Sequence, residues 1–199
     1  MKIINIPAGA SNFAEIRRKG SYFIDKTGLI VQLMKTQSTK ATLITRPRRF
    51  GKTLCMSMLS EFFDIQKESR HFFAGLSVME NEELCRQWMN QYPTLSLTFR
   101  SVDGLDFSGA YAQLVSVIAE LYKKHSYLTE SERIHPLDKE QFHRIAAEKS
   151  DLKDIKNSLL KLTRLMELYY EKPVILLIDE NVGRLGIAFF RKKCLVKKM

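Results

Sequence analysis

Apolar positions along the chain change their period several times, and each change predicts an element boundary. Residues 13 to 35 contain "FAEIRRKGSYFIDKTGLIVQLM", a short helical pattern, a break at Gly20 and Ser21, and a second helical pattern from about Thr27. Ala41 to Thr45 is short, apolar and rich in β-branched residues, which suits a buried strand. From Lys52 to Phe63, Leu54, Met58, Leu59 and Phe62 recur at helical spacing. Pro93 opens a strand over 94 to 99, "TLSLTF", and Asp103-Gly104 marks a turn. Leu114, Val117, Ile118 and Leu121 lie along one side of a helix over 107 to 124. The polar stretch "KKHSYLTESERIHPLDKE" predicts an exposed connection. Leu152 to Tyr170 predicts a long helix ending before Pro173, and "VILLID" at 174 to 179 predicts a buried strand. Solidly apolar strands alternating with helices predict an α/β fold with a mostly parallel sheet covered on both faces.

Two of these boundaries carry candidate chemistry. Gly51-Lys52-Thr53 falls between the strand at 41 to 45 and the helix that follows, in "LITRPRRFGKTLCMSML". A phosphate loop belongs at such a junction, because a helix start offers unpaired N–H groups and a positive dipole end to an anion. Gly51 lets the backbone approach closely, Lys52 reaches the β- and γ-phosphates, and the Thr53 hydroxyl can ligate Mg²⁺. Arg46 stands where the G-x-x-x-x-G-K-[ST] pattern has its first glycine, and Arg48 and Arg49 add two further cations. Pro47 has no N–H, so donors nearer Lys52 must serve. At the second boundary, five apolar residues lead into Asp179-Glu180 at a strand end, the form of a Walker B element. Asp179 would hold Mg²⁺, and Glu180 would polarise the water that attacks the γ-phosphate.

Together, "FAEIRRKGSYFIDKTGLIVQLM", "LITRPRRFGKTLCMSML" and "VILLIDE" resemble the bacterial AAA-ATPase-like family, whose members often end in a restriction-like nuclease domain of the PD-(D/E)XK type. The resemblance implies an ATP- and Mg²⁺-dependent P-loop ATPase. Phosphate binding would fall to Arg46, Arg48, Arg49, Gly51, Lys52 and Thr53, metal binding to Thr53 and Asp179, and catalysis to Lys52 and Glu180. In that family the loop itself reads R-P-R-R-F-G-K-T, so Arg46 is the family form. Asp25-Lys26-Thr27 matches a further family signature, for which local capping at a helix start is the role the residue types suggest.

Composition alters this picture mainly at the C-terminal end. The formal charge is +10, and six of those charges are Arg184, Arg191, Lys192, Lys193, Lys197 and Lys198, in a stretch after Glu180 without any acid. Where the family continues with Tyr-Asp and further strands carrying a sensor residue, this chain has "NVGRLGIAFFRKKCLVKKM". Residues 1–180 therefore read as the N-terminal part of an AAA-ATPase-like domain, and 181–199 as a basic tail, disordered or the product of a shifted reading frame. On that reading the sheet is incomplete on its C-terminal side and the chain turns ATP over slowly or not at all. Full-length members of the family would form homo-oligomers. Two other functions stay open, a nucleotide-binding module without turnover and a basic nucleic-acid-binding protein using the loop arginines and the tail. No apolar run reaches the length of a membrane span. Three scattered cysteines and no secretory pattern point to the cytoplasm.

Overall fold

Asn12 starts the first helix by accepting a hydrogen bond from the Glu15 N–H at 2.9 Å, satisfying one of the donors every helix leaves open at its start. The computed structural model describes residues 7, 9–35, 41–42, 44, 50–102, 106–179 and 196–198. Within them the order is α1 (Phe13–Arg18), α2 (Gly28–Lys35), β1 (Ala41–Thr42), α3 (Lys52–Phe63), 3₁₀ turns at Arg70–Phe73 and Ser77–Glu80, and α4 (Glu82–Trp88). Then come β2 (Thr94–Thr98), α5 (Phe107–Lys124), a 3₁₀ turn at Ser126–Glu130, α6 (Pro136–Ala146), α7 (Leu152–Tyr170), β3 (Ile175–Asp179) and β4 (Val196–Lys198). The chain forms two compact units, one of Met1–Ser96, Ile175–Ile178 and Cys194–Met199, the other of Leu97–Val174 and Asp179–Lys193.

The strands lie in the order β1-β4-β3-β2. Ile175 donates its N–H to the Pro93 carbonyl at 2.9 Å and Phe99 donates to the Asp179 carbonyl at 3.3 Å. Residue numbers therefore rise together, and β2 and β3 are parallel. β4 is antiparallel to both of its neighbours, with Val196 opposite Thr42 on one side and Leu177 on the other. β1, β2 and β3 thus share one direction, while the mostly parallel sheet expected from the sequence is mixed. The reason is local: residues 196–198, inside the tail expected to be disordered, pair between β1 and β3. The rest of 181–199 lies outside the described residues, as do Leu43, Thr45 and the Asp103-Gly104 turn.

The first unit is built around α3. Met58, Leu59, Phe62 and Phe63 are almost wholly buried and pack with Phe13, Ile30, Phe73, Val78, Ile175 and Leu177. Burial of this kind stabilises by about 1.5–3 kcal/mol per large side chain. Polar pins fix the neighbours of α3. Phe13 donates its N–H to the Ser57 hydroxyl at 3.0 Å, and the Arg17 guanidinium reaches the Phe72 and Ala74 carbonyls, each at 2.7 Å. Beneath the end of α3, Asn90 sits at φ 56° and donates to the Glu61 and Asp64 carbonyls, both at 3.0 Å.

The second unit is helical. Each of its described α-helices has a side-chain cap: Asp106 accepts from the Gly109 N–H at 2.7 Å, His135 from Leu137 at 3.2 Å, and Asp151 from Asp154 at 2.7 Å. Leu114, Ile118, Tyr122, Phe142, Ile145, Leu162, Leu165 and Met166 form its interior, and the Tyr122 hydroxyl donates to the Ser158 carbonyl at 2.8 Å. The stretch expected to be an exposed connection is instead largely structured. It contains the Ser126–Glu130 turn and the start of α6, and buries Leu128 and Ile134. Two isolated apolar residues among many polar ones do not establish a period, so only packing makes them core.

Candidate functional site

Gly51 is the hinge of the candidate site. Its φ of 73° is left-handed, a conformation that glycine adopts without the Cβ clash other residues meet. From there α3 begins at Lys52, and the Cys55 N–H donates to the Gly51 carbonyl at 2.9 Å. Among the described residues no side chain caps this helix, and no acid occupies its first turn. The early N–H groups of α3 are thus left to water or a ligand, at the positive end of the helix dipole. Lys52 is half-buried and Thr53 exposed. Phe50, just before the hinge, is exposed.

A second cation stands at the same place. The Lys26 Nζ comes to 3.7 Å from where a Cβ on Gly51 would sit. The residues on either side of Lys26 explain how it is held there. Asp25 accepts from the Thr27 N–H at 2.8 Å and its hydroxyl at 2.7 Å with one carboxylate oxygen, and from the Ser77 N–H at 2.8 Å with the other. Thr27, fully buried, accepts from the Val78 N–H at 3.1 Å. Its hydroxyl lies 3.1 Å from that of Ser77. Burial alone would push the Asp25 carboxyl up, but hydrogen bonds from Ser77 and Thr27 outweigh it and hold it below the usual aspartate value. Local capping therefore describes only half of this motif. Its other half ties two segments some fifty residues apart in sequence, and no local pattern carries that information.

Asp179 is the last residue of β3 and is 9% exposed. Among the described residues its carboxylate has no ion pair. A buried carboxylate is costly unless it is paired, neutralised or coordinates a metal. The chemistry of Asp179 and of the Thr53 hydroxyl, both oxygen donors, fits Mg²⁺. Arg46, Arg48, Arg49 and Glu180 lie outside the described residues. Gly51, Lys52 and Thr53 are thus adjacent at one helix start, joined by the Lys26 ammonium. An open hollow of about 380 Å³ beside α1, lined by Pro7, Gly9, Ala10, Glu15, Ile16, Lys19 and Ser21, includes none of these residues.

A family model described as "Predicted AAA-ATPase" matches residues 7–182, which take in every candidate residue from Lys26 to Glu180. The chain belongs to the AAA-ATPase-like family. It is also similar to an uncharacterized protein from the vnfD 5′ region of Azotobacter chroococcum mcd 1, with 34% identity over 116 residues. That match covers 56% of this chain and 21% of the relative. No solved structure matches. Among the described residues of this family member, no helix is long and apolar enough to cross a membrane.

Proposed function

We propose that this chain is a nucleotide-binding ATPase module that takes MgATP at the start of α3. The observation that carries the reading is the uncapped, acid-free first turn of α3, bearing Gly51-Lys52-Thr53, in a chain of the AAA-ATPase-like family. Gly51 brings the backbone close to the phosphates, and the free N–H groups of α3 donate to them. Lys52 neutralises charge on the terminal phosphates, with Arg46, Arg48 and Arg49 adding to the positive field from the preceding loop. Thr53 and Asp179 hold Mg²⁺, which when bound supplies charge neutralisation on the phosphate oxygens. Glu180 orients the attacking water, so hydrolysis depends on it while binding does not.

Calorimetry with MgATP tests the binding step. Lys52→Ala is expected to weaken affinity by about 100-fold, the worth of one or two charge-assisted hydrogen bonds, with the circular dichroism of the fold retained. Equal affinity in wild type and variant would remove the reading. Glu180→Gln is expected to bind MgATP as wild type does and to abolish whatever turnover the wild-type chain shows. A salt titration of nucleic-acid binding with Arg48→Ala and Arg49→Ala separates the alternative. Loss of DNA or RNA affinity, with nucleotide affinity unchanged, would assign the arginines to a nucleic acid.

A further inference from the structure

The acid and the hydroxyl of Asp25-Lys26-Thr27 are both engaged in holding backbone, whereas the side chain of the lysine between them has no such partner among the described residues. Asp25 is bonded to Ser77 and Thr27 to Val78, so the chain is anchored on each side of Lys26. Its carbonyl accepts from the Leu29 N–H at 3.1 Å, but among the described residues the Lys26 side chain makes no ion pair and no hydrogen bond. It is nevertheless half-buried, with its ammonium beside Gly51. Long lysine side chains ordinarily place their charge in water. Here the charge points toward the positive end of α3, whose first turn offers no acid and adds the ammonium of Lys52. Two cations at the start of one helix repel each other and the helix dipole. An anion placed among them is attracted by both ammonium groups and by the helix dipole, and these attractions offset the repulsions.

We propose that Lys26 is a second phosphate-binding lysine, delivered to the polyphosphate of a nucleoside di- or triphosphate by the pinned Asp25–Thr27 turn. This rests on the reading of the α3 start as a nucleotide site, and it deepens that reading in one respect. The site binds charge from two separate segments of the chain, one at Lys52 and one at Lys26. The turn at Ser77–Glu80 then acts as the support that sets where the second charge stands. Asp25 and Thr27 are positioning residues, and Lys26 is the group that touches the ligand. Ligands without phosphate gain nothing from it.

The experiment uses the full chain, calorimetry with MgATP and with adenosine, and the variants Lys26→Met, Lys26→Arg and Lys52→Ala. Lys26→Met is expected to weaken MgATP binding roughly tenfold, with a shallower dependence on ionic strength, and to leave its melting temperature near that of wild type. Lys26→Arg keeps the charge and is expected to stay within about threefold of wild type. Asp25→Asn loosens the turn and is expected to weaken MgATP by roughly threefold to tenfold while Lys26 is still present. If the wild-type chain binds no MgATP, or Lys52→Ala binds it unchanged, both this inference and the underlying reading fall. If Lys52→Ala loses binding while Lys26→Met keeps wild-type affinity and salt dependence, this inference alone is overturned. Equal weakening of adenosine by Lys26→Met would likewise overturn it, because the lysine would then act on the fold or the base.

Discussion

The start of α3 is finished in the opposite way to those of α5, α6 and α7. In the helical unit, α5, α6 and α7 begin with Asp106, His135 and Asp151, each accepting a backbone N–H on its side chain. In the first unit, α3 begins with a left-handed glycine, has no cap and no acid in its first turn, and has a lysine ammonium close by. The interiors, by contrast, are alike in kind, aromatic and aliphatic side chains almost wholly buried. A side-chain cap satisfies one of the open donors and adds stability. An uncapped start gives up that stability and keeps its donors available. On the proposed reading, the difference separates helix starts committed to structure from one kept for phosphate.

The largest effects test the part of the comparison that treats the two interiors as equal. Phe62→Ala in α3 and Phe142→Ala in α6 are each expected to lose about 3–5 kcal/mol of stability, since the two rings are 0% and 1% exposed. Urea unfolding measures both, and a loss below about 1 kcal/mol for either would mean that its unit is not packed as described. Next comes the start of α3. Gly51→Asp keeps a residue that tolerates left-handed backbone but places a carboxylate where the Lys26 ammonium is near. It is expected to cost MgATP affinity about 100-fold, near 2.7 kcal/mol, and Gly51→Asn, uncharged, about tenfold at most. Wild-type affinity in Gly51→Asp would break the comparison outright, because the uncapped start would not be an anion site.

Smaller effects sharpen it. Asn90→Ala leaves the Glu61 and Asp64 carbonyls without their side-chain donor and puts alanine at φ 56°, for an expected loss of about 2 kcal/mol in thermal unfolding. Asp151→Ala removes the cap of α7 and is expected to lose about 1 kcal/mol without any change in MgATP affinity. A change in affinity there would show that capping and ligand binding are not separable. The smallest effect is on pH. Asp25 has its folded-state value depressed below the ordinary 3.8. The stability it contributes is therefore fully present above that ordinary value, and it is lost as pH falls through the lower folded-state value. Because the residue is exposed, the effect is a few tenths of a kcal/mol after solvent screening. Asp25→Asn should flatten the acid limb of a melting-temperature profile below about pH 4, and an unchanged limb would remove Asp25 from the account.

Long periodic segments and chemically specific junctions are what the sequence determined by itself. The helices over 107 to 124, 152 to 170 and 52 to 63 have the same bounds in the structure, because many residues at one spacing bury a single face. Gly51-Lys52-Thr53 at a helix start was legible for a similar reason, since only a few residue types suit that turn. Only the tertiary structure decided the rest. Leu128 and Ile134 become core because neighbouring helices cover them, and residues 196–198 become a strand because β1 and β3 offer open edges on either side. Lys26 shows the same limit most clearly. Its motif was visible, yet its position beside Gly51 depends on Asp25 and Thr27 bonding to residues 77 and 78. Contacts between segments so far apart depend on how the chain folds back on itself, and no local spacing records them.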